Sequence, residues 1–148
     1  MKRVVSTALT VILIFCILPL SVFATENEII YLDDGSYIIV EMICYNTRAS
    51  GSISGAKQYT HYSNGGESNW KAVLNGSFTY TGSGATCTSS SMDVTIYDSS
   101  WYTISKNAGK SGNKAIGSAT IGEKALGVTV TRVPVSLTLS CDANGNLS

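Results

Sequence analysis

Residues 68–81 alternate between apolar or small side chains and mostly polar ones, and this pattern constrains the fold more than any other feature of the chain. Apolar, aromatic or small residues occupy every second position, namely Trp70, Ala72, Leu74, Gly76, Phe78 and Tyr80. The positions between them are Lys71, Val73, Asn75, Ser77 and Thr79. A period of two with one apolar face is typical of a half-buried strand in an antiparallel sheet. The glycine in mid-strand, Gly76, predicts a bend or a close neighbour above it.

The rest of the chain after residue 25 has the pattern of further short strands. Glycine and β-branched residues recur every few positions, and both disfavour a helix interior. About eight strands are predicted, at residues 28–32, 36–45, 56–63, 68–81, 85–97, 101–105, 114–121 and 125–141. Short strands separated by Gly, Asn, Asp and Ser turns predict an all-β fold, an antiparallel two-sheet sandwich of the immunoglobulin-like kind. A closed β-barrel is the alternative.

The segments between these strands carry their own signals. Asp33-Asp34-Gly35 predicts a tight turn, which makes residues 28–45 an N-terminal hairpin. The Ser/Gly-rich residues 46–55 are expected to form a flexible connector. A polar loop is predicted at 106–113 and a turn at 122–124.

The apolar parity changes twice along the predicted strands, and each change predicts a β-bulge. The first change lies between Cys87 and Met92. The second lies near Thr131 and Arg132, where a strand that switches sheets is the alternative to a bulge. Pro134 cannot donate a ladder hydrogen bond, so it is expected at an edge or a bulge.

The N-terminus has the anatomy of an export signal. A basic start is followed by an almost unbroken apolar stretch that ends in Val22-Phe23-Ala24. This predicts a cleavable signal peptide over residues 1–24 and a secreted, extracellular protein. A permanent membrane anchor is the alternative. Cys16 lacks the small residues that must precede a lipidated cysteine, so lipidation is not expected.

Cleavage would leave residues 25–148, enough for a single domain with a real core. Ten acidic residues against eight basic ones would then give a net charge of about −2. Nucleic-acid binders usually carry a basic excess, so nucleic acid is not expected as a partner. No membrane partner is expected once the signal is removed.

Three cysteines lie beyond the signal, and export would place them in an oxidising compartment. We predict a disulfide between Cys87, which begins one strand, and Cys141, which ends the last one. Pairing of Cys44 with Cys87 is the alternative, because sequence does not determine connectivity. Cys44 is otherwise expected to be a buried free thiol, with an intermolecular disulfide or a reactive thiol as the other interpretation.

The candidate catalytic and metal-binding residues are few. His61 is the only histidine. It is interpreted as an outward-facing strand residue, and a small hydrolase using His61 with a nearby Ser or Asp is the alternative function. No Gly-x-Ser-x-Gly elbow supports that alternative. Asp142-Ala143-Asn144-Gly145-Asn146 spaces oxygen atoms as a calcium loop begins, but no later Glu follows, so a turn is predicted. No cofactor or metal is expected.

Aromatic side chains among polar neighbours are the candidate binding residues. They are Tyr59, Tyr62, Trp101 and Tyr102, whereas Trp70 belongs to the predicted core. Exposed aromatic rings stack on sugars and are common at protein interfaces. Trp101 and Tyr102 are adjacent on a strand, so they must point to opposite faces. The expected partner is a cell-wall polysaccharide or an extracellular protein.

Several stretches together carry a family resemblance. They are YLDDGSYIIV, WKAVLNGSFTYTGSGATC, YDSSW followed by KNAGKSGNKA, and the ending SLTLSCDANGNLS. The mature chain resembles a family of small secreted proteins of unknown function from Gram-positive, clostridial bacteria. The resemblance rests on Trp70, Phe78, Cys87 and Cys141 and supports pairing of the two cysteines. It implies no activity. The expected function is therefore a secreted, non-enzymatic β-domain that binds or associates outside the cell.

Overall fold

A computed structural model describes residues 27–45 and 51–148 of the chain. The predicted signal peptide, residues 1–24, lies outside the described residues. The strands are β1 (Glu28–Tyr31), β2 (Tyr37–Tyr45), β3 (Ser52–Tyr62), β4 (Ser68–Tyr80), β5 (Ala85–Ile96), β6 (Trp101–Ser111), β7 (Lys114–Ala125) and β8 (Val128–Ser140). The described part of the chain contains no helix, and therefore none that could cross a membrane.

The strands form two separate antiparallel sheets. The large sheet has the order β1-β2-β3-β4-β5 and the small sheet the order β6-β7-β8. Each sheet is a meander, and the β5–β6 segment is the connection between them. Strands β3 to β5 pack on the small sheet, and β1 and β2 lie beyond β3. The predicted all-β sandwich of two antiparallel sheets and eight strands is confirmed, and the described strands do not close into the alternative barrel. The sequential strand order of both sheets lacks the Greek-key connections of the predicted immunoglobulin-like kind.

The alternation predicted for β4 holds throughout its buried length. Trp70, Ala72, Leu74 and Phe78 all point into the space between the sheets, where they meet the inner faces of β7 and β8. At Gly117 of β7, side chains of the large sheet lie directly against the backbone of the small sheet. A Cβ atom at Gly117 would lie 2.9 Å from both Leu74 Cδ1 and Met92 Sδ. The side chains of the two sheets are therefore closely packed against each other in the core.

Both predicted bulges are present. Phe78 pairs with Cys87 and Ser77 with Ser89, so Thr88 is the extra residue that lets Cys87 and Met92 both point inward. Glu123 pairs with Thr131 and Lys124 with Thr129, so Val130 is the extra residue of β8. Pro134 lies in β8, an edge strand, as predicted.

Three expected loop segments are placed differently. Residues 106–111 belong to β6, and the β6–β7 hairpin turns at Gly112 and Asn113. Residues 122–124 lie inside β7, and the turn comes at Leu126 and Gly127. Of the expected connector, residues 46–50 lie outside the described residues and 52–55 belong to β3. The polar side chains of β6 are compatible with a strand because β6 is an edge strand and most of them face solvent.

Candidate functional site

Three tyrosines form a row across the outer face of the large sheet. Tyr37 of β2 is directly opposite Tyr31 of β1 on one side and Tyr62 of β3 on the other. The Tyr37 and Tyr62 rings lie 5.1 Å apart at their centroids and only 11° from parallel. The Tyr31 ring lies 6.1 Å from that of Tyr37, tilted by 46°. We call Tyr31, Tyr37 and Tyr62 the tyrosine row.

The distance between the Tyr37 and Tyr62 rings determines which parts of the tyrosine row face the solvent. Two rings lying flat beside each other on the sheet would collide at 5.1 Å, so Tyr37 and Tyr62 must stand on edge against one another. Ring edges and hydroxyl groups therefore point outward. The outermost ring, Tyr31, keeps most of its surface free and is 75% exposed.

Branched apolar side chains extend this row along the same face. Ile29, which is 48% exposed, pairs with Ile39, and Ile43 and Tyr45 lie further along β2, beyond Glu41, whose carboxylate accepts from Gln58 Nε2. We call these four residues together with the tyrosine row the outer apolar face. In an antiparallel sandwich the outer face of a sheet is usually polar. An apolar surface on that side, which is continuous here from the tyrosine row to Ile29 and Ile39, is typical of an interaction site.

The structure does not bring the four predicted binding aromatics together. Tyr62 lies in the tyrosine row. Tyr59 points to the inner side of β3 and is half-buried, and burial followed by the charge of Glu28 raises its pKa. Trp101 is buried in the core, so its selection as a candidate binding residue is wrong.

The fourth predicted aromatic, Tyr102, lies on the outer face of the small sheet and is half-buried. Its hydroxyl is hydrogen-bonded to Thr129, and Lys124 Nζ lies 4.3 Å from the centre of its ring. Trp101 and Tyr102 do point to opposite faces, as predicted. The sequence analysis missed Tyr31 and Tyr37, although two tyrosines equally spaced about a tight turn are the signal of a cross-strand pair.

His61 is buried, so the predicted outward orientation is wrong. The side chain is 2% exposed and is held between two tryptophans. Its ring stacks on Trp70, with centroids 5.1 Å apart and planes 6° from parallel, and meets Trp101 at 5.0 Å and 51°. The reason is register: His61 pairs with Trp70, whose face of the sheet is the inner one.

Both ring nitrogens of His61 have hydrogen-bond partners. Asn69 Nδ2 lies 3.1 Å from Nδ1, and Ser36 Oγ lies 3.2 Å from Nε2. The Ser36 hydroxyl donates to Asp34 Oδ1 at 2.6 Å. The Ser36 oxygen is thus left to accept from Nε2–H, and Nδ1 accepts from the Asn69 amide. This network assigns the neutral, Nε2-protonated tautomer.

The electrostatics agree with a neutral ring. Burial lowers the pKa of His61 and outweighs the charges of Asp34 and Glu123, which favour protonation. A serine–histidine dyad needs an unprotonated nitrogen facing the hydroxyl and an open path for the substrate. Here Nε2 carries the proton and Ser36 is buried. The arrangement is that of a hydrogen-bonded core network.

The two cysteines of the predicted disulfide lie at the other end of the sandwich. Cys87 N donates to Gly112 O at 2.8 Å, and Cys141 N donates to Asn113 O at 3.0 Å, so the two residues lie on either side of the β6–β7 turn. Both are buried and free, and their sulfurs are not at disulfide distance. The predicted Cys87–Cys141 bond is therefore not formed in this structure.

Each buried thiol instead points to a nearby carbonyl. Cys87 Sγ donates to Ser89 O at 3.2 Å, and Cys141 Sγ to Asp142 O at 3.4 Å. Burial raises the pKa of both thiols. Cys44 is the exception. It is a free thiol at the end of β2, but it is exposed, which corrects the expectation of burial.

The acidic loops are turns, as predicted. Asp142 Oδ1 accepts from the backbone N–H groups of Asn144 and Asn146, each at 2.8 Å. The Asn146 side chain and these backbone groups lower the pKa of Asp142. Asp34 makes the corresponding bonds with Ser36. Within the ranges 27–45 and 51–148, no group of acidic, His and Cys side chains is arranged to hold a metal.

We compared the chain with known proteins, and no match suggests a function. The chain matches no protein-family model, no curated protein and no solved structure. The similarity to clostridial secreted proteins stays a prediction. Among the described residues, the outer apolar face is the feature best suited to binding.

Proposed function

We propose that this protein is a secreted, non-enzymatic binding domain that associates with an extracellular protein through its outer apolar face. The observation that carries the proposal is the exposure of Ile29 and Tyr31 beside the stacked tyrosines. Tyrosine is favoured at protein interfaces because its ring buries a large area while its hydroxyl finds a partner.

The shape of the tyrosine row favours a protein over a polysaccharide. Sugar rings stack on exposed aromatic faces, but Tyr37 and Tyr62 present edges and keep their faces against each other. Of the three rings only Tyr31 is largely exposed, whereas Tyr37 and Tyr62 are half-buried. The flanking side chains, Ile29 and Ile39, are branched aliphatics, which suit the mixed apolar centre of a protein interface.

The His61 network supports the non-enzymatic part of the proposal. A hydrolase built on His61 would need Ser36 to give its proton to the ring, whereas that proton is directed to Asp34. Substrate would also have to reach a side chain that is covered by two tryptophans.

The test is retention of extracellular proteins by immobilised mature chain, residues 25–148. Tyr31→Ser removes the most exposed ring of the face, and the side chain lies at a sheet edge, so the fold should be preserved. We expect the affinity for a retained protein to fall at least about tenfold, as truncation of a tyrosine that carries binding energy produces. Ile116→Ser, on the outer face of the small sheet, is the matched control and should bind like wild type.

Sedimentation with insoluble cell walls and polysaccharides separates the two partner classes. We expect little saturable binding of the mature chain to cell walls or polysaccharides. Saturable, Tyr31-dependent binding to polysaccharide would replace the protein partner with a glycan. Equal protein retention by wild type and Tyr31→Ser would contradict the assignment of the face.

A further inference from the structure

The β7–β8 turn has a residue that its backbone geometry disfavours. Ala125 pairs with Val128, so Leu126 and Gly127 form a two-residue turn. Both have positive φ, 52° for Leu126 and 78° for Gly127. Two-residue hairpin turns of this kind strongly prefer Asn or Asp before Gly, because branched side chains fit the left-handed region poorly. Leu126 is the one non-glycine residue with positive φ in the part of the chain that the structure describes.

Leu126 gains no packing within the domain in return. Its side chain is fully exposed at the tip of the hairpin. Val128 and Val130 extend the apolar surface and are 65% and 57% exposed. A residue that opposes the local backbone preference and contributes nothing to the core is expected at a functional position. The tip therefore points to a partner outside the domain.

Polar and cationic groups lie next to this tip along the hairpin, on the outer side of the small sheet. Lys124 pairs with Thr129, the Thr129 hydroxyl is bonded to Tyr102, and the Lys124 ammonium lies over the Tyr102 ring. Arg132 is exposed further along β8, opposite Gly122. The acid of the same hairpin, Glu123, points to the inner side and is half-buried. The outer side of the hairpin thus presents cations and hydroxyls behind an apolar tip.

We propose that the Ala125–Val130 tip inserts into the surface of a lipid bilayer. Leu126 and Val128 would enter the acyl region, and Lys124 and Arg132 would meet the phosphate groups. With a strand rise of about 3.4 Å per residue, Lys124 lies about 7 Å behind Leu126, within the roughly 5–10 Å over which apolar faces enter the bilayer boundary. Tyrosine and lysine are residues that anchor at this level.

The neighbouring turn sets the limit of insertion. Lys124 N donates to Ser100 O, which places the exposed carboxylate of Asp98 beside the hairpin. That charge must stay in water, so only the tip enters. A protein partner would need a pocket that encloses a convex tip, whereas lipid accommodates one without a matching shape. We thus propose a reversible, peripheral membrane association, in contrast to the expectation that the mature chain has no membrane partner.

Vesicle binding by the mature chain tests the proposal. The probes are phosphatidylcholine vesicles with and without one quarter phosphatidylglycerol, and the measurement is the bound fraction against lipid concentration. Leu126→Asn removes the apolar tip while placing a residue suited to positive φ. We expect binding to fall at least about tenfold, since burial of one leucine side chain has an effect of that order. The thermal midpoint should be unchanged or higher.

Two further variants distinguish binding by the apolar tip from the effect of the Lys124 charge. Ile116→Asn changes an exposed isoleucine far from the tip and should bind like wild type. Lys124→Gln should reduce the enhancement by phosphatidylglycerol about fivefold and leave binding to neutral vesicles nearly unchanged. Failure of wild type to bind either vesicle, or equal binding by Leu126→Asn, would overturn the lipid assignment. If wild type binds no vesicle but retains a protein in a Leu126-dependent way, the tip belongs to a protein pocket instead.

Discussion

Mild acid should destabilise this domain through one side chain, because His61 is the only histidine of the chain. In the folded state the ring is neutral, bonded at both nitrogens and held between Trp70 and Trp101. Burial therefore lowers its pKa below the ordinary value of 6.5. In the unfolded state the ring takes up a proton near that ordinary value.

Proton linkage gives the direction and the magnitude of the change in the free energy of unfolding. Below pH 6.5 the unfolded state binds one more proton than the native state, so the free energy of unfolding falls as the pH falls. The stabilisation is fully present above pH 6.5 and is lost as the pH drops towards the native pKa. If His61 stays neutral in the native state, the loss between about pH 7.5 and 5.5 is about 1.4 kcal/mol.

Urea unfolding of residues 25–148 across that range measures this loss directly. The bonded aspartates do not interfere, because hydrogen bonds lower the pKa values of Asp34, Asp98 and Asp142 below the ordinary 3.8. Their stabilisation is present above that value and disappears at a lower pH than the histidine window. His61→Gln should be less stable overall but nearly insensitive to pH between about 7.5 and 5.5, since it has no titrating ring.

Nuclear magnetic resonance gives an independent check, since the single imidazole contributes one Hε1 signal. Its native titration midpoint should lie below 6.5. Stability that stays constant or rises on acidification would refute the reasoning. A native midpoint at or above 6.5 would mean that the ring is not held neutral by the Ser36 and Asn69 bonds.

Three further predictions concern the core and the thiols. Asn69→Ala should lower the free energy of unfolding by about 1–3 kcal/mol, because it leaves a buried histidine nitrogen unpaired; a loss under about 0.5 kcal/mol would contradict the hydrogen bond. Gly117→Ala should cost about 1–3 kcal/mol by overpacking, whereas Gly109→Ala, which has open space for a Cβ atom, should not show that penalty. Equal losses would argue against the close approach. In the native mature chain an aromatic disulfide reagent should label Cys44 fast and the two buried cysteines only after unfolding, and rapid labelling of all three would contradict the burial.

Local patterns were sufficient for much of the fold. The alternation in β4 predicted which side chains enter the core, because a strand places successive side chains on opposite faces. The parity changes predicted the bulges at Thr88 and Val130 for the same reason. Adjacent Trp101 and Tyr102 were correctly assigned to opposite faces.

Other elements could not be read from local patterns. The polar residues 106–111 have the composition of a loop, and they form a strand because β6 lies at a sheet edge where solvent surrounds its side chains. The segment around His61 carries aromatic and polar residues on both faces, so alternation does not choose between them. Pairing with Trp70 decides that His61 is inside.

The sequence by itself determined the all-β class, most strand positions and the bulges at Thr88 and Val130, because these depend on the period of two and on turn residues close together in the chain. Only the tertiary structure decided the tyrosine row, the His61 network and the separation of Cys87 from Cys141. Each of these depends on which residues of different strands lie opposite one another. A tight turn can fix the register of one hairpin, as for Tyr31 and Tyr37, but packing between the sheets decides which face of each strand lies inside and which distant residues meet.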